Sequence, residues 1–191
     1  PDYVWQQIAD LMSDATEEVL LVAPFIKKSI FEELVAAVPL SVRKITCVTR
    51  WTPTEVAAGV SDPEILEVAG NNERISIALC PSLHAKLYRV DGRCLVGSAN
   101  LTGKATGRVP DANVELLLEA PVSHPEVQRV LGQVESYSTT ATPHTAVLVR
   151  QQAELLKTER ITPQTGSEAI SCWYPETRRP ENVFALYSGR T

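Results

Sequence analysis

The sequence has no apolar run approaching the roughly 18 residues that a membrane-spanning helix requires, so no such helix is expected. Its opening stretch, PDYVWQQIADLMSDATEE, is acidic and amphipathic, and lacks the basic start and apolar stretch of a secretory signal. Pro1 stands in place of an initiating methionine, which suits a processed product or an excised piece of a longer chain. The four cysteines, Cys47, Cys80, Cys94 and Cys172, include no CxxC pair. Buried reduced thiols in a cytoplasmic protein are therefore expected, not a disulfide framework. Histidine is scarce, with three in the chain, and Cys80 with His84 alone is too small a set for a metal. No metal and no other cofactor is expected. There is no internal repeat and no low-complexity tract.

Positive charge is also in short supply. The formal net charge is −5, which argues against a general polyanion binder. The acidic excess is local, however. Residues 1–80 carry 12 Asp/Glu against 6 Lys/Arg, residues 81–140 carry 6 of each, and residues 141–191 carry 5 against 6. A nucleic-acid ligand would need a local basic groove outside the acidic first part. The 44% hydrophobic and 21% charged composition is ordinary for a soluble globular domain.

What is present reads as an α/β pattern. Residues 5–15 have helical periodicity, with Trp5, Ile8, Leu11, Met12 and Ala15 on one face. Continuous apolar runs at 18–25, 44–49 and 75–80 suit buried strands. Helices are expected at 28–38, after the Thr52-Pro53 start signal, and near 63–69. Three strand-like runs follow, at 83–90, 94–101 and 114–120, the first two joined by the hairpin signal Asp91-Gly92. Helices are expected at 125–137 and 143–157. The order predicts a mixed β-sheet flanked by helices on both faces. Residues 1–140 would form the catalytic domain and 141–191 a C-terminal helix with an irregular extension, since Pro, Gly and Thr punctuate the chain beyond Thr158.

Residues 83–101, LHAKLYRVDGRCLVGSANL, hold the chemistry. Along a strand, residues two apart share a face, so His84 goes with Lys86, and Ser98 with Asn100. A two-residue loop at Asp91-Gly92 would set His84 opposite Ala99 and send the two polar pairs to opposite faces. A three-residue loop, Asp91-Gly92-Arg93, would set His84 opposite Asn100 and Lys86 opposite Ser98. Only the second gathers the four side chains into one patch, and it is the register expected. Such a patch suits a phosphodiester. Lysine supplies a point charge, Ser and Asn supply neutral donors, and histidine can attack phosphorus or protonate a leaving alkoxide.

His84-Ala-Lys86, Asp91 and Gly97-Ser98-Ala-Asn100 resemble the HKD motif of the phospholipase D superfamily. The resemblance is specific over residues 84–100 and extends loosely from about Glu18 to Tyr137. It departs in one place: five residues, Gly92–Val96, separate Asp91 from Gly97 where the family has six. The resemblance implies a phospholipase D-like fold. It implies His84 as a nucleophile forming a phosphohistidine, Lys86, Ser98 and Asn100 as ligands of the phosphate oxygens, and no metal requirement. Asn113-Val114-Glu115-Leu116-Leu117 resembles the family's next strand, whose glutamate orients the histidine, and this points to Glu115. Asp91 would hold the turn.

The family site uses two such motifs, and this chain has one, because neither His124 nor His144 is followed by a lysine two residues on. A homodimer through the motif face is therefore implied. Single-motif members are largely metal-independent nucleases, so DNA is the expected substrate by analogy, with no membrane partner. Alternatives are a phosphodiesterase or transferase acting on a lipid or small diester, and a non-catalytic nucleic-acid-binding or dimerisation module. Arg50, after the second strand run, and Lys104 and Arg108, past Asn100, are the candidate substrate-binding cations. His124 and His144 read as helix-entry residues.

Overall fold

The computed structural model describes residues 3–159. Its elements are α1 (Tyr3–Ser13), β1 (Glu18–Val22), α2 (Lys28–Ala37), β2 (Lys44–Thr49), α3 (Pro53–Ala57), α4 (Ile65–Gly70) and β3 (Ile75–Leu79). Then come β4 (Leu87–Val90), β5 (Arg93–Gly97), α5 (Gly103–Thr106), β6 (Leu117–Pro121), α6 (Pro125–Tyr137), β7 (Thr139–Thr140) and α7 (Pro143–Glu159). The strands make one mixed sheet in the order β6-β5-β4-β1-β2-β3-β7. β1, β2 and β3 are parallel, whereas β4, β5, β6 and β7 pair antiparallel with their neighbours.

Strand alternation sorts the core into two layers. Val19 and Leu21 of β1, with Ile45, Cys47, Ile77 and Tyr88, pack against Ile8 and Met12 of α1, Phe31 and Leu34 of α2 and Ile65 of α4. Val22, Val48, Leu87 and Cys94 project to the other face and meet Val127 and Val134 of α6. Helices thus cover both faces, as the sequence pattern predicts. Burying each of the larger apolar side chains contributes about 1.5–3 kcal/mol, and Ile8, Phe31, Leu34 and Ile45 are all fully inaccessible. Cys47, Cys80 and Cys94 are buried free thiols, and burial pushes Cys94 up to about 11.

Helix starts follow local chemistry. Thr52 accepts from Glu55 N at 3.3 Å, with Pro53 in the first turn of α3. His124 Nδ1 accepts from Glu126 N at 3.2 Å and caps α6, a helix-entry role, ahead of Pro125. α7, placed with the C-terminal extension by composition, packs on α3 within the compact unit that ends at Glu159. The extension itself and Cys172 lie outside the described residues. Among those described, no helix is long and apolar enough to cross a membrane.

Several features differ from the sequence expectation. α5 and the short β7 were not foreseen, and the β4–β5 turn has two residues, not three. Val90 pairs with Arg93, Tyr88 with Leu95 and Leu87 with Val96. Asp91 takes a left-handed φ of 48°, the conformation that tight hairpins demand at their first turn position. Its carboxylate accepts from Thr16 N (2.9 Å), Thr16 Oγ1 (2.8 Å), Glu17 N (3.0 Å) and Glu18 N (2.9 Å). The hairpin tip is thereby tied to the entry of β1. Burial opposes ionisation of Asp91, but these donors together outweigh it and hold the pKa down at about 2.

Candidate active site

The motif residues collect at one edge of the sheet. β1, β2 and β3 all end there, β4 and β6 begin there, and β5 ends there. This is the carboxyl edge of the parallel strands, where open α/β sheets bind their ligands. The loops converging on it are residues 23–27, 50–52, 80–86, 98–102 and 113–116.

None of His84, Lys86, Ser98 and Asn100 lies in a ladder. β4 begins at Leu87 and β5 ends at Gly97, so the four residues sit in irregular backbone just past the strand ends. The observed register, extended three residues beyond β4, sets His84 across from Ala99 and corrects the expected pairing with Asn100. The expectation failed because face alternation governs only paired residues. Irregular backbone aims these side chains, and turn parity has no hold on them.

His84 is exposed, and it lines a cavity of about 290 Å³ between residues 80–85 and α6. Lys86 is half-buried, and its Nζ donates to the His84 carbonyl at 2.9 Å. Burial holds the Lys86 ammonium below its usual pKa. Glu115 opposes that effect and the Arg50 charge adds to it. Ser98 Oγ donates to Glu115 Oε2 and accepts from Leu116 N at 3.0 Å. Glu115 also accepts from Asn113 Nδ2 at 3.1 Å. Among the described residues no hydrogen bond joins Glu115 to His84, so the carboxylate is seen holding Ser98 and Asn113, not the imidazole. Asn100 Oδ1 accepts from Phe25 N at 3.4 Å, which turns it toward the loop after β1.

Gly97 belongs to the motif for a steric reason. A β-carbon there would lie 1.8 Å from the Leu116 carbonyl oxygen. Only glycine lets the segment leading into Ser98 come this close to the segment carrying Glu115. Tyr88, fully buried, donates its hydroxyl to the Ala99 carbonyl at 2.6 Å and fixes the Ser98–Asn100 turn from beneath. Burial pushes the Tyr88 pKa up, so the hydroxyl stays a donor at any physiological pH.

Of the three expected substrate cations, two are engaged elsewhere. Arg50 pairs with Glu55 through both of its forks, each side chain 18% exposed. Its Nη1 donates to the Leu83 carbonyl at 2.8 Å, and its guanidinium lies 5.5 Å from the Phe25 ring centre. Arg50 therefore holds the backbone next to His84. Arg108 pairs with Glu33 at 2.7 Å and lies over the Trp5 ring at 4.9 Å, so it braces the helical layer. Lys104 is exposed at the start of α5, its backbone carbonyl receiving Asn113 N at 3.0 Å. Tyr88 and three α6 residues facing the His84 cavity, Arg129, Gln133 and Tyr137, were not singled out from sequence. The four-residue spacing of the last three is the signal that could have placed them on one helix face. Among the described residues, no three His, Cys, Asp or Glu side chains are grouped so as to hold a metal ion.

No protein-family model matches the chain, and no curated protein matches it by sequence. Solved structures do. A phospholipase D family member, Nuc from Salmonella typhimurium, is 18% identical, with a TM-score of 0.52 over 71% of this chain and 89% of that one. Phosphatidylserine synthase from Haemophilus influenzae is 12% identical, with a TM-score of 0.57 over 80% of this chain and 41% of that one. The chain has the phospholipase D superfamily fold.

Proposed function

On the premise of that fold, we propose that this chain cleaves phosphodiester bonds, and that it is a metal-independent DNA nuclease acting through a phosphohistidine. The observation that carries the reading is the grouping at one sheet edge of an exposed imidazole, a half-buried lysine and a serine held by a glutamate. In this mechanism a neutral His84 nitrogen forms a bond to phosphorus while the bond to the leaving oxygen breaks. A second, protonated histidine gives that oxygen its proton. Water then attacks the phosphohistidine and returns a proton to the second histidine, releasing the phosphate monoester and His84. Lys86, Ser98 and Asn100 bind the phosphate oxygens, and Lys86 is suited to this because it stays a compact point charge. Glu115 acts as a positioning residue through Ser98.

The second histidine is the His84 of another copy, so the site is completed in a homodimer. One imidazole cannot be neutral for attack and protonated for leaving-group departure at the same moment. Incubation with plasmid and oligonucleotide substrates in EDTA tests the reading. Cleavage should persist in chelator, vanish in His84→Ala, and leave an acid-labile phosphoryl label on histidine. Activity that disappears in EDTA and returns with Mg²⁺ overturns this mechanism.

One observation favours a second reading. The groove beside Lys86, lined by Leu87, Val96, Leu118, Ala120 and Val127, is almost wholly apolar. It would suit a diester with an apolar substituent. Turnover of a lipid diester faster than of any oligonucleotide would decide for that substrate.

A further inference from the structure

The structure offers a substrate two ways to leave His84 and Lys86, and they differ in chemistry. The groove next to Lys86 is mostly apolar; beyond Lys86 itself its charged lining is Glu119 and Glu126, and the His124 ring that also borders it is taken up in capping α6. A polyanion has little to bind there. The cavity next to His84 is of mixed polarity. Ser82 borders it on one side, and Arg129, Gln133 and Tyr137 of α6 on the other.

Those three residues recur every four positions, so they form one stripe about 12 Å long on the helix. The core stripe of the same helix, Val127 and Val134, is buried against the sheet, but Tyr137 is 58% exposed. Arg129 Nη1 donates to Gln133 Oε1 at 2.9 Å, which aligns the guanidinium along the stripe. The pairing of Arg129 with Glu126 at 2.8 Å joins two well-exposed side chains, and such a pair is cheap to exchange for a phosphate.

We propose that the cavity between residues 80–85 and α6 is a subsite for single-stranded nucleic acid, in which Tyr137 stacks a base and Arg129 pairs the backbone phosphate next to the one at His84. This deepens the nuclease reading and rests on it for the class of ligand. Stacking needs a base free of its partner, so the strand in this cavity is unpaired. Arg129 contributes charge without sequence preference, and the Tyr137 ring accepts any base.

The test uses full-length His84→Ala protein, which does not consume its ligand. Fluorescence anisotropy compares a short thymidine oligonucleotide with one of equal length carrying abasic residues. Tyr137→Ala should weaken binding of the base-bearing strand about tenfold and leave the abasic strand unchanged, while Tyr137→Phe should bind both normally. Arg129→Gln should weaken both strands equally and lower the salt slope of binding by about one. Glu126→Gln, which frees Arg129, should tighten both.

The subsite is overturned if the parent protein binds neither strand, or if Tyr137→Ala treats the two strands alike. It is equally overturned if Tyr137→Ala turns a dimer into a monomer in light scattering, because the face would then belong to a second copy. The two readings fail separately. Base-dependent binding without any cleavage by wild type removes the nuclease and keeps the subsite. Cleavage by wild type with no discrimination by Tyr137→Ala removes the subsite and keeps the nuclease.

Discussion

The hydroxyl of Tyr88 reaches across from β4 to the carbonyl of Ala99 at 2.6 Å, in a part of the core with no access for water. Ala99 is flanked by Ser98 and Asn100, so a core tyrosine sets the position of two motif residues. Tyr88→Phe removes the donor and leaves the Ala99 carbonyl unsatisfied. It should cost about 1–3 kcal/mol in urea denaturation and lower kcat. Unchanged stability and unchanged turnover would show that the bond has no role.

Two glycines give a matched pair. Gly97→Ala puts a β-carbon onto the Leu116 carbonyl and forces β5 and the 113–116 segment apart, separating Ser98 from Glu115. Activity should fall severely, with loss of stability. Gly92→Ala meets nothing within 4 Å and should change stability by about 0.5 kcal/mol or less. Thermal melts of the two variants side by side check the contrast.

Asp91 predicts an acid-limited stability. Its folded pKa, at about 2, lies below the unfolded value, so its contribution is present above the ordinary carboxylate range and fades as pH falls toward 2. Allowing for partial exposure, the contribution is about 1–2 kcal/mol. Asp91→Asn tolerates the left-handed backbone but loses the charge, so the protein should be less stable at pH 7 and nearly equal to wild type near pH 2. Chemical denaturation at both pH values measures this. A constant difference across the range would contradict the account.

Arg50 makes a kinetic prediction. Arg50→Ala frees the Leu83 carbonyl and lets the His84 backbone drift, which should lower kcat roughly ten- to a hundredfold. It also removes a cation that lowers the Lys86 pKa. Lys86 binds phosphate as the ammonium, so the alkaline limb of the pH–rate profile should move to higher pH in the variant. Glu55→Gln keeps the cation and loosens the grip, so it should lower kcat with less movement of that limb. An unmoved limb in Arg50→Ala would deny the electrostatic part of this role.

Long apolar runs and cap signals made most of the fold readable. Ile8, Phe31 and Leu34 mark buried helix faces, 44–49 is a strand from end to end, and Thr52 and Pro125 sit where their chemistry requires. β7, two residues long, left no pattern to find. At the site, residue types and spacing were legible, and the means of gathering them was not. His84 and Asn100 were matched across a ladder that stops short of both. Arg50 was a candidate substrate cation from sequence, and its pairing with Glu55, five residues on, carried no signal there. Irregular backbone at a sheet edge is directed by contacts such as those of Arg50 with Leu83 and of Phe25 with Asn100, between residues 33 and 75 positions apart.

Lys86 and Asp91 stand at opposite edges of the sheet, with the four residues of β4 between them. β4 therefore works as a ruler. At about 3.4 Å per residue it fixes how far the phosphate-binding lysine stands from the latch at the entry of β1. Added length is tolerable only at the far end, beside Gly92, where a longer turn changes nothing at the site. One residue inserted into β4 itself would turn Tyr88 out of the core and pull the lysine off its mark. The gap between Asp91 and Gly97 can thus lengthen at the turn without moving the site, while the gap between Lys86 and Asp91 cannot.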